Sequence, residues 1–329
     1  MRRLPPLPAA RPATFLPAHA EMGVDTLDGW LTTPDGVQLY TKTWKPAEVK
    51  ARLVFLHGFS DHCNFYPALF TTLAENGIKV YSLDQRGWGR SVRLPKQKGQ
   101  TGSNEQVMTD ITTFIQSLPS DETAPLFLMG HSMGGGETLV YASTGPKHVV
   151  SRIRGFLLES PLIGLGKDAT PFKITVALGR LAARIAPTMT MVQKLDASKL
   201  CRDPAVCKAW VDDDLCHDTA SLAGLAGLLD RTGNLNEGRI VLAEGIGEGG
   251  KTRVWIGHGS ADQICDFDAS RRWFDRIQVE DKEFQAYDGW YHKLHSEPNG
   301  DGERFAGDVV KWILNRSGPL ETVRPKPKL

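Results

Sequence analysis

One stretch limits what this chain can fold into more than any other, Pro125 to Thr138, PLFLMGHSMGGGET. An apolar run, Leu126 to Met129, leads into Gly130-His131-Ser132-Met133-Gly134 and then into a segment of helical composition. This is the G-x-S-x-G pattern of a buried strand, a sharp turn with serine at its apex, and an immediate helix. Strand and helix pack so closely there that side chains at Gly130 and Gly134 would collide, and the turn holds Ser132 in a strained conformation. The Ser132 hydroxyl is thereby presented at the carboxyl edge of a sheet. The Met133 N–H and the helix N-terminus face any negative charge that forms beside it. The expectation is a nucleophilic serine.

A serine hydroxyl needs a base to take its proton, and on this architecture the partners follow in the order serine, acid, histidine. Val254 to Ile256 reads as a strand followed by Gly257-His258-Gly259-Ser260-Ala261-Asp262, a glycine loop ending in an acid. Phe284 to Gly289 reads as a strand followed by Trp290-Tyr291-His292. Asp262 is the expected orienting acid and His292 the expected general base and acid. Leu56-His57-Gly58-Phe59-Ser60 follows the first long apolar run, so the Phe59 N–H is expected to join that of Met133 as oxyanion donor. His57 is expected to brace that loop, and Asp84, in Asp84-Gln85-Arg86-Gly87, to be structural.

The rest of the chain suits an α/β fold. Short, nearly continuous apolar runs at Leu53 to Leu56, Val80 to Leu83, Leu126 to Met129 and Phe156 to Leu158, with the two above, indicate parallel strands buried on both faces. Thr26 to Thr33 and Val37 to Trp44, joined by Pro34-Asp35-Gly36, read as a hairpin covering one sheet edge. Helical periodicity marks Pro67 to Glu75, Glu105 to Leu118 and Glu303 to Asn315. Between Pro161 and Gly238 the strand and helix rhythm stops, which implies a helical insertion over the carboxyl edge. Within it, Phe172 to Ala186 reads equally as a core helix or as a lid whose apolar face meets lipid. The organisation expected is a disordered leader over 1–24, a core over 25–160, a helical cap over 161–238, the core resumed over 239–316, and a flexible tail over 317–329.

Composition narrows the partners. Among 329 residues, Lys and Arg total 39 and Asp and Glu 38, so no net field favours nucleic acid. Five cysteines without a C-x-x-C pair suit reduced thiols better than a disulfide framework, and Cys201, Cys207, Cys216 and His217 fit no common zinc spacing. No metal and no cofactor is expected. The C-terminal Pro-Lys-Leu is like the peroxisomal Ser-Lys-Leu address without its serine.

Together, His57-Gly58, Asp84-Gln85-Arg86-Gly87, Gly130 to Gly135, His258 to Asp262 and Tyr291-His292-Lys293-Leu294-His295 resemble the monoacylglycerol lipase family of the α/β-hydrolases, in a form closest to fungal members. The resemblance spans about residues 25 to 315 and includes the cap segments Ser198 to Pro204 and Asp213 to Leu215. It implies a mostly parallel eight-stranded sheet flanked by helices with a cap after strand 6, cleavage of monoacylglycerol or a similar lipid ester, and transient membrane or lipid-droplet contact through the cap of a cytoplasmic protein. It further implies that Asp61 and His295 contact the glycerol head group, with Trp210 at the polar end of the acyl channel. Phe65 stands where the mammalian form has an arginine of that network, which puts the role of Asp61 in question. Cys265 matches a cysteine near the mammalian site and reads equally as a small buried hydrophobe or a sensitive thiol. The rival readings are a broader carboxylesterase, lysophospholipase, thioesterase or S33-type peptidase on the same fold, and a non-catalytic receptor.

Overall fold

The computed structural model describes residues 24–166 and 173–320, with the side chains of 173–178 left aside. The leader to residue 23, the last nine residues with Pro-Lys-Leu, and Phe172 with the side chains of Ile174, Val176 and Leu178 lie outside what is described. In chain order the strands are β1 (Asp25–Thr32), β2 (Gln38–Lys45), β3 (Ala51–Leu56), β4 (Ile78–Leu83), β5 (Leu126–His131), β6 (Ile153–Glu159), β7 (Thr190–Val192), β8 (Thr219–Ser221), β9 (Arg253–Gly259) and β10 (Asp281–Tyr287). The helices are α1 (Pro67–Glu75), α2 (Asn104–Gln116), α3 (Met133–Thr144), α4 (Lys147–Val150), α5 (Lys173–Ile185), α6 (Pro204–Asp212), α7 (Leu222–Asn236), α8 (Phe267–Arg276) and α9 (Asp301–Asn315).

Eight strands form one sheet in the order β1-β2-β4-β3-β5-β6-β9-β10. The β1–β2 and β2–β4 pairs are antiparallel and the other pairs parallel, so the hairpin forms the edge beside β4. The continuous apolar runs arise because both faces are covered. Alternate residues Val54, Leu56, Leu128, Phe156, Leu158, Val254 and Ile256 share one core with Ile111 and Phe114 of α2 and Leu139 of α3. The intervening Leu53, Phe55, Phe127, Met129, Leu157 and Trp255 share the other with Phe70 of α1 and Phe305, Val309 and Trp312 of α9. Arg86 pins the hairpin turn to the body of the protein, donating to both oxygens of Asp35 at 2.8 Å and to Asp110 of α2 at 2.7 Å.

After β6 the chain leaves the sheet for α5, the β7–β8 ribbon, α6 and α7, and returns at β9. The antiparallel ribbon, three residues in each strand, is too short to be legible in sequence, and α7 continues to Asn236, beyond the apolar patch Leu222 to Leu229. On α5, Leu181 and Ile185 are 54% and 78% exposed, unlike residues of a core helix. The α7 helix docks on α3 through a buried ion pair, Arg231 Nη2 donating to Glu137 Oε1 at 3.1 Å. Burial outweighs the attraction: it pushes the Glu137 carboxyl up to about 7 despite Arg231, and lowers the Arg231 guanidinium.

A carboxyl whose folded value lies above its unfolded one holds a proton that the unfolded chain releases. Stability therefore falls as pH rises from 4.5 to about 7 and stays lower above that. The contribution is on the order of 3 kcal/mol. Glu137→Gln is expected to flatten this decline, read as the change in urea unfolding free energy between pH 5 and pH 8. Parallel wild-type and variant curves would exclude it.

Candidate active site

The ends of β3, β5, β9 and β10 converge at one sheet edge. At the end of β5, Ser132 has φ 55° and ψ −115°, the only residue between strand and α3. Its conformation is held by Ser132 N–H to Glu159 O at 2.9 Å, Leu162 N–H to Ser132 O at 2.8 Å and Gly136 N–H to Ser132 O at 3.0 Å. The flanking glycines have steric causes. A Cβ at Gly130 would lie 2.1 Å from the Gly134 carbonyl oxygen, and one at Gly134 would lie 2.2 Å from that of Leu56. The second contact seats the N-terminus of α3 against the end of β3, beside the loop carrying Phe59.

Asp262 lies in the loop after β9 and His292 in the loop after β10. His292 Nδ1 donates to Asp262 Oδ2 at 2.8 Å, which leaves Nε2 with its lone pair. Three further groups hold the acid: His258 Nε2 at 3.1 Å, and the N–H groups of Ile264 at 2.8 Å and Cys265 at 3.0 Å. Burial would push the Asp262 carboxyl up, but the charge of His292 and the hydrogen bonds from His258 and His292 hold it well below the usual range. His258, itself bonded through Nδ1 to Ser270 Oγ at 3.0 Å, is an orienting partner for which its place in the His-Gly-Ser-Ala-Asp stretch was the only sequence signal.

Cys265 marks the meeting point. Its Sγ lies 3.9 Å from Ser132 Oγ, and within 4.8 Å of ligating atoms of Asp262 and His292. In this rotamer the Ser132 hydroxyl faces the sulfur. Burial raises the Cys265 thiol well above the ordinary value, so it packs as a neutral group in an apolar cluster with Trp88, Met133, Leu162 and Leu228.

Phe59 and Met133 line one pocket, whose walls also include Gln85, Trp88, Leu228 and Arg231. Phe59 packs edge-on against Trp88 at 4.8 Å. His57 shapes the loop below: its Nδ1–H donates to Gly58 O at 2.8 Å, and its Nε2 accepts from Gln85 N–H at 2.9 Å. Asp84 accepts from the N–H groups of Cys63 at 2.8 Å and Arg90 at 2.7 Å, a structural arrangement.

Asp61, His295 and Trp210 are buried, and their polar side-chain atoms have protein partners among the described residues except His295 Nε2. Lys293 Nζ contacts Asp61 Oδ1 at 2.7 Å and Oδ2 at 2.8 Å, Trp210 Nε1–H donates to Oδ1 at 2.9 Å, and Tyr66 O–H donates to Oδ2 at 2.6 Å. Tyr66 Oη accepts from Gly58 N–H at 3.1 Å and from His131 Nδ1 at 3.0 Å. His295 Nδ1 donates to Glu159 Oε1 at 2.6 Å. Asp61, which the resemblance implied as a head-group contact, has its acceptor positions met by Lys293, Trp210 and Tyr66. Burial opposes its ionisation, and Lys293 overcomes this, holding the carboxyl well below its usual range. Lys293 and Tyr66 were not singled out in sequence, because nothing local marks a buried lysine as paired.

Two donor groups could in principle hold a metal among the described residues: His62, Asp213 and Cys216, and the Asp262, Cys265 and His292 set already described. In the first, His62 Nε2 bonds Asp213 at 2.9 Å while Nδ1 accepts from Asn64 N–H at 3.3 Å, so the proton sits on the nitrogen a metal would need bare. Cys201 and Cys207 lie 3.9 Å apart, but they join no metal-ligating group with Cys216 or His217.

Gly134→Ala is expected to push α3 away from β3, lowering ester hydrolysis by about 100-fold or more and stability by about 1–3 kcal/mol. Hydrolysis of an aryl ester and thermal melting measure both, and a fully active variant would contradict the close approach.

The family model described as serine aminopeptidase, S33, matches residues 47–299. The chain is 34% identical over 290 residues to a putative monoglyceride lipase of Schizosaccharomyces pombe, covering 87% of this chain and 74% of that one. It is 27% identical to the monoglyceride lipase of Mus musculus, covering 87% and 90%. Among solved structures, a soluble variant of the Saccharomyces cerevisiae monoglyceride lipase in complex with a substrate analog superposes with a TM-score of 0.77 at 25% identity, covering 89% of this chain and 96% of that one. The chain belongs to the S33 family and, within it, to the monoglyceride lipases of the α/β-hydrolase fold.

Proposed function

We propose that this protein is a serine hydrolase that cleaves monoacylglycerols to fatty acid and glycerol through an acyl-enzyme. The observation that carries the reading is the convergence of Ser132, Asp262 and His292 around Cys265, in a chain that belongs to the monoglyceride lipases. Ser132 Oγ turns from Cys265 toward His292, loses its proton to Nε2 and attacks the ester carbonyl. Asp262 stabilises the imidazolium that results. The Phe59 and Met133 N–H groups receive the oxyanion, each contributing about 3 kcal/mol to the transition state. His292 then protonates the departing glycerol oxygen. Water, deprotonated by His292, attacks the acyl-enzyme and releases the fatty acid.

The acyl chain suits the apolar cluster of Trp88, Met133, Leu162, Leu228 and Cys265 beside the serine. A lipid surface suits the cap, where Leu181, Ile185 and Val192 are 54%, 78% and 67% exposed. No described helix is long and apolar enough to cross a membrane. Cytoplasmic residence with contact at a membrane or lipid droplet is the location this reading favours. Of the cap acids Asp212, Asp213 and Asp214, which a peptidase could use to receive a substrate amine, Asp213 is engaged by His62 at 2.9 Å.

The test is fatty-acid release from dispersed monooleoylglycerol, with dioleoylglycerol, a lysophospholipid, a short aryl ester and an amino-acid arylamide in parallel. Preference for the monoglyceride is expected, and faster arylamide turnover would overturn the substrate assignment. Ser132→Ala should lower turnover by at least about 1,000-fold, and activity retained by clean protein would overturn the nucleophile. Ile185→Asp with Val192→Asp is expected to weaken flotation with liposomes while leaving aryl-ester hydrolysis intact.

A further inference from the structure

We infer that Lys293 is a positioning residue, which sets the general-base loop against the oxyanion loop through a buried ion pair with Asp61. The inference rests on the proposed roles of His292 and Phe59. Lys293 follows His292 directly in the chain, and Asp61 comes two residues after Phe59. Both are 1% exposed, and the ammonium reaches both carboxylate oxygens, at 2.7 and 2.8 Å. Two backbone segments that must keep their spacing during the reaction are thus joined one residue from the base and two from the oxyanion donor.

The surroundings make this geometry rigid. Lys293 Nζ also lies over the Phe65 ring at 4.4 Å, so the cation is enclosed by a carboxylate and an aromatic face. Its own N–H donates to Leu200 O at 2.7 Å, which attaches the same residue to the cap. Asp61 is held in turn by Trp210 of α6 and by Tyr66, whose oxygen also accepts from Gly58 N–H in the oxyanion loop and from His131 beside Ser132. One ion pair therefore joins the segments that carry the base, the nucleophile and the oxyanion donor with the cap. Four donated contacts fill the acceptor capacity of Asp61, so a substrate hydroxyl could bind it only by displacing a buried partner. A role in position follows, and a role as head-group ligand does not.

The test compares wild type, Lys293→Met and the double variant Asp61→Asn with Lys293→Met, using monooleoylglycerol, a short aryl ester and inactivation by a fluorophosphonate. Lys293→Met leaves a buried carboxylate unpaired and is expected to melt at a lower temperature; the double variant carries no such charge and regains melting temperature. Both variants are expected to lose about 100-fold in kcat on both esters, with KM within about twofold, and to react equally more slowly with the fluorophosphonate. Recovery of kcat along with melting temperature in the double variant would reduce the pair to a matter of stability and overturn the inference. A raised KM confined to the monoglyceride would overturn it in favour of head-group binding. Aryl-ester kcat reads the role of Lys293 even if wild type proves inactive on monoglyceride, so the two proposals fail separately.

Discussion

The site depends first on a contact without side chains. Where α3 meets the end of β3, the Gly134 backbone lies so near the Leu56 carbonyl that a single methyl group has no room. That seam determines how far the start of α3 stands from the loop after β3, and with it the relation of Met133 to Phe59. Beside it Ser132 takes a left-handed conformation with φ 55°, a strain of about 1–3 kcal/mol that neighbouring strands sustain. The hydrogen bond from Ser132 N–H to Glu159 O is part of what sustains it. A rigid elbow matters because a nucleophile already in place avoids the cost of ordering it during the reaction.

Around this seam the protein buries several carboxylates, and each is treated differently by its partners. Asp262 and Asp61 are kept ionised against burial, the first by imidazoles and backbone N–H groups, the second by an ammonium. Glu159 is likewise held down by His295 and His131 after burial has raised it. Glu137, whose buried charge meets the Arg231 guanidinium, is raised instead, because burial outweighs that attraction. The balance of burial against nearby charge and hydrogen bonds decides the sign: burial favours the neutral acid, and the partners of Asp262, Asp61 and Glu159 outweigh it. His131, enclosed beside these acids, is lowered to about 4 by burial and so stays neutral at neutral pH.

The cap is fastened to the core by polar contacts as much as by apolar packing. His62 to Asp213, Trp210 to Asp61, Lys293 N–H to Leu200 O and Arg202 to Glu297 all cross the boundary near the site, and Arg231 to Glu137 crosses it beneath α7. Glu297 in turn accepts from Tyr291 N–H at 2.6 Å, so the histidine loop and the cap share a carboxylate. Directional contacts of this kind give the cap a defined seat while its outer apolar residues remain uncovered.

The amino-acid sequence by itself determined the sheet strands, the strand-turn-helix at Ser132, the order serine, acid, histidine, and the place of the insertion. These are legible because apolar period, glycine spacing and turn chemistry act between neighbours in the chain. The ribbon of β7 and β8, with three residues in each strand, carries too little period to be read. The oxyanion loop could be located from Leu56-His57-Gly58 but not shaped, since its brace is Gln85, 28 residues away. The residues flagged by resemblance, Asp61, His295 and Trp210, could be named from the chain, but what Asp61 and His295 touch depends on Lys293, 232 positions from Asp61, and on Glu159, 136 positions from His295. Only the tertiary structure decided those partners. The strength of a buried charge is fixed by which donors the fold brings within about 3 Å, and no local pattern in a chain records that distance.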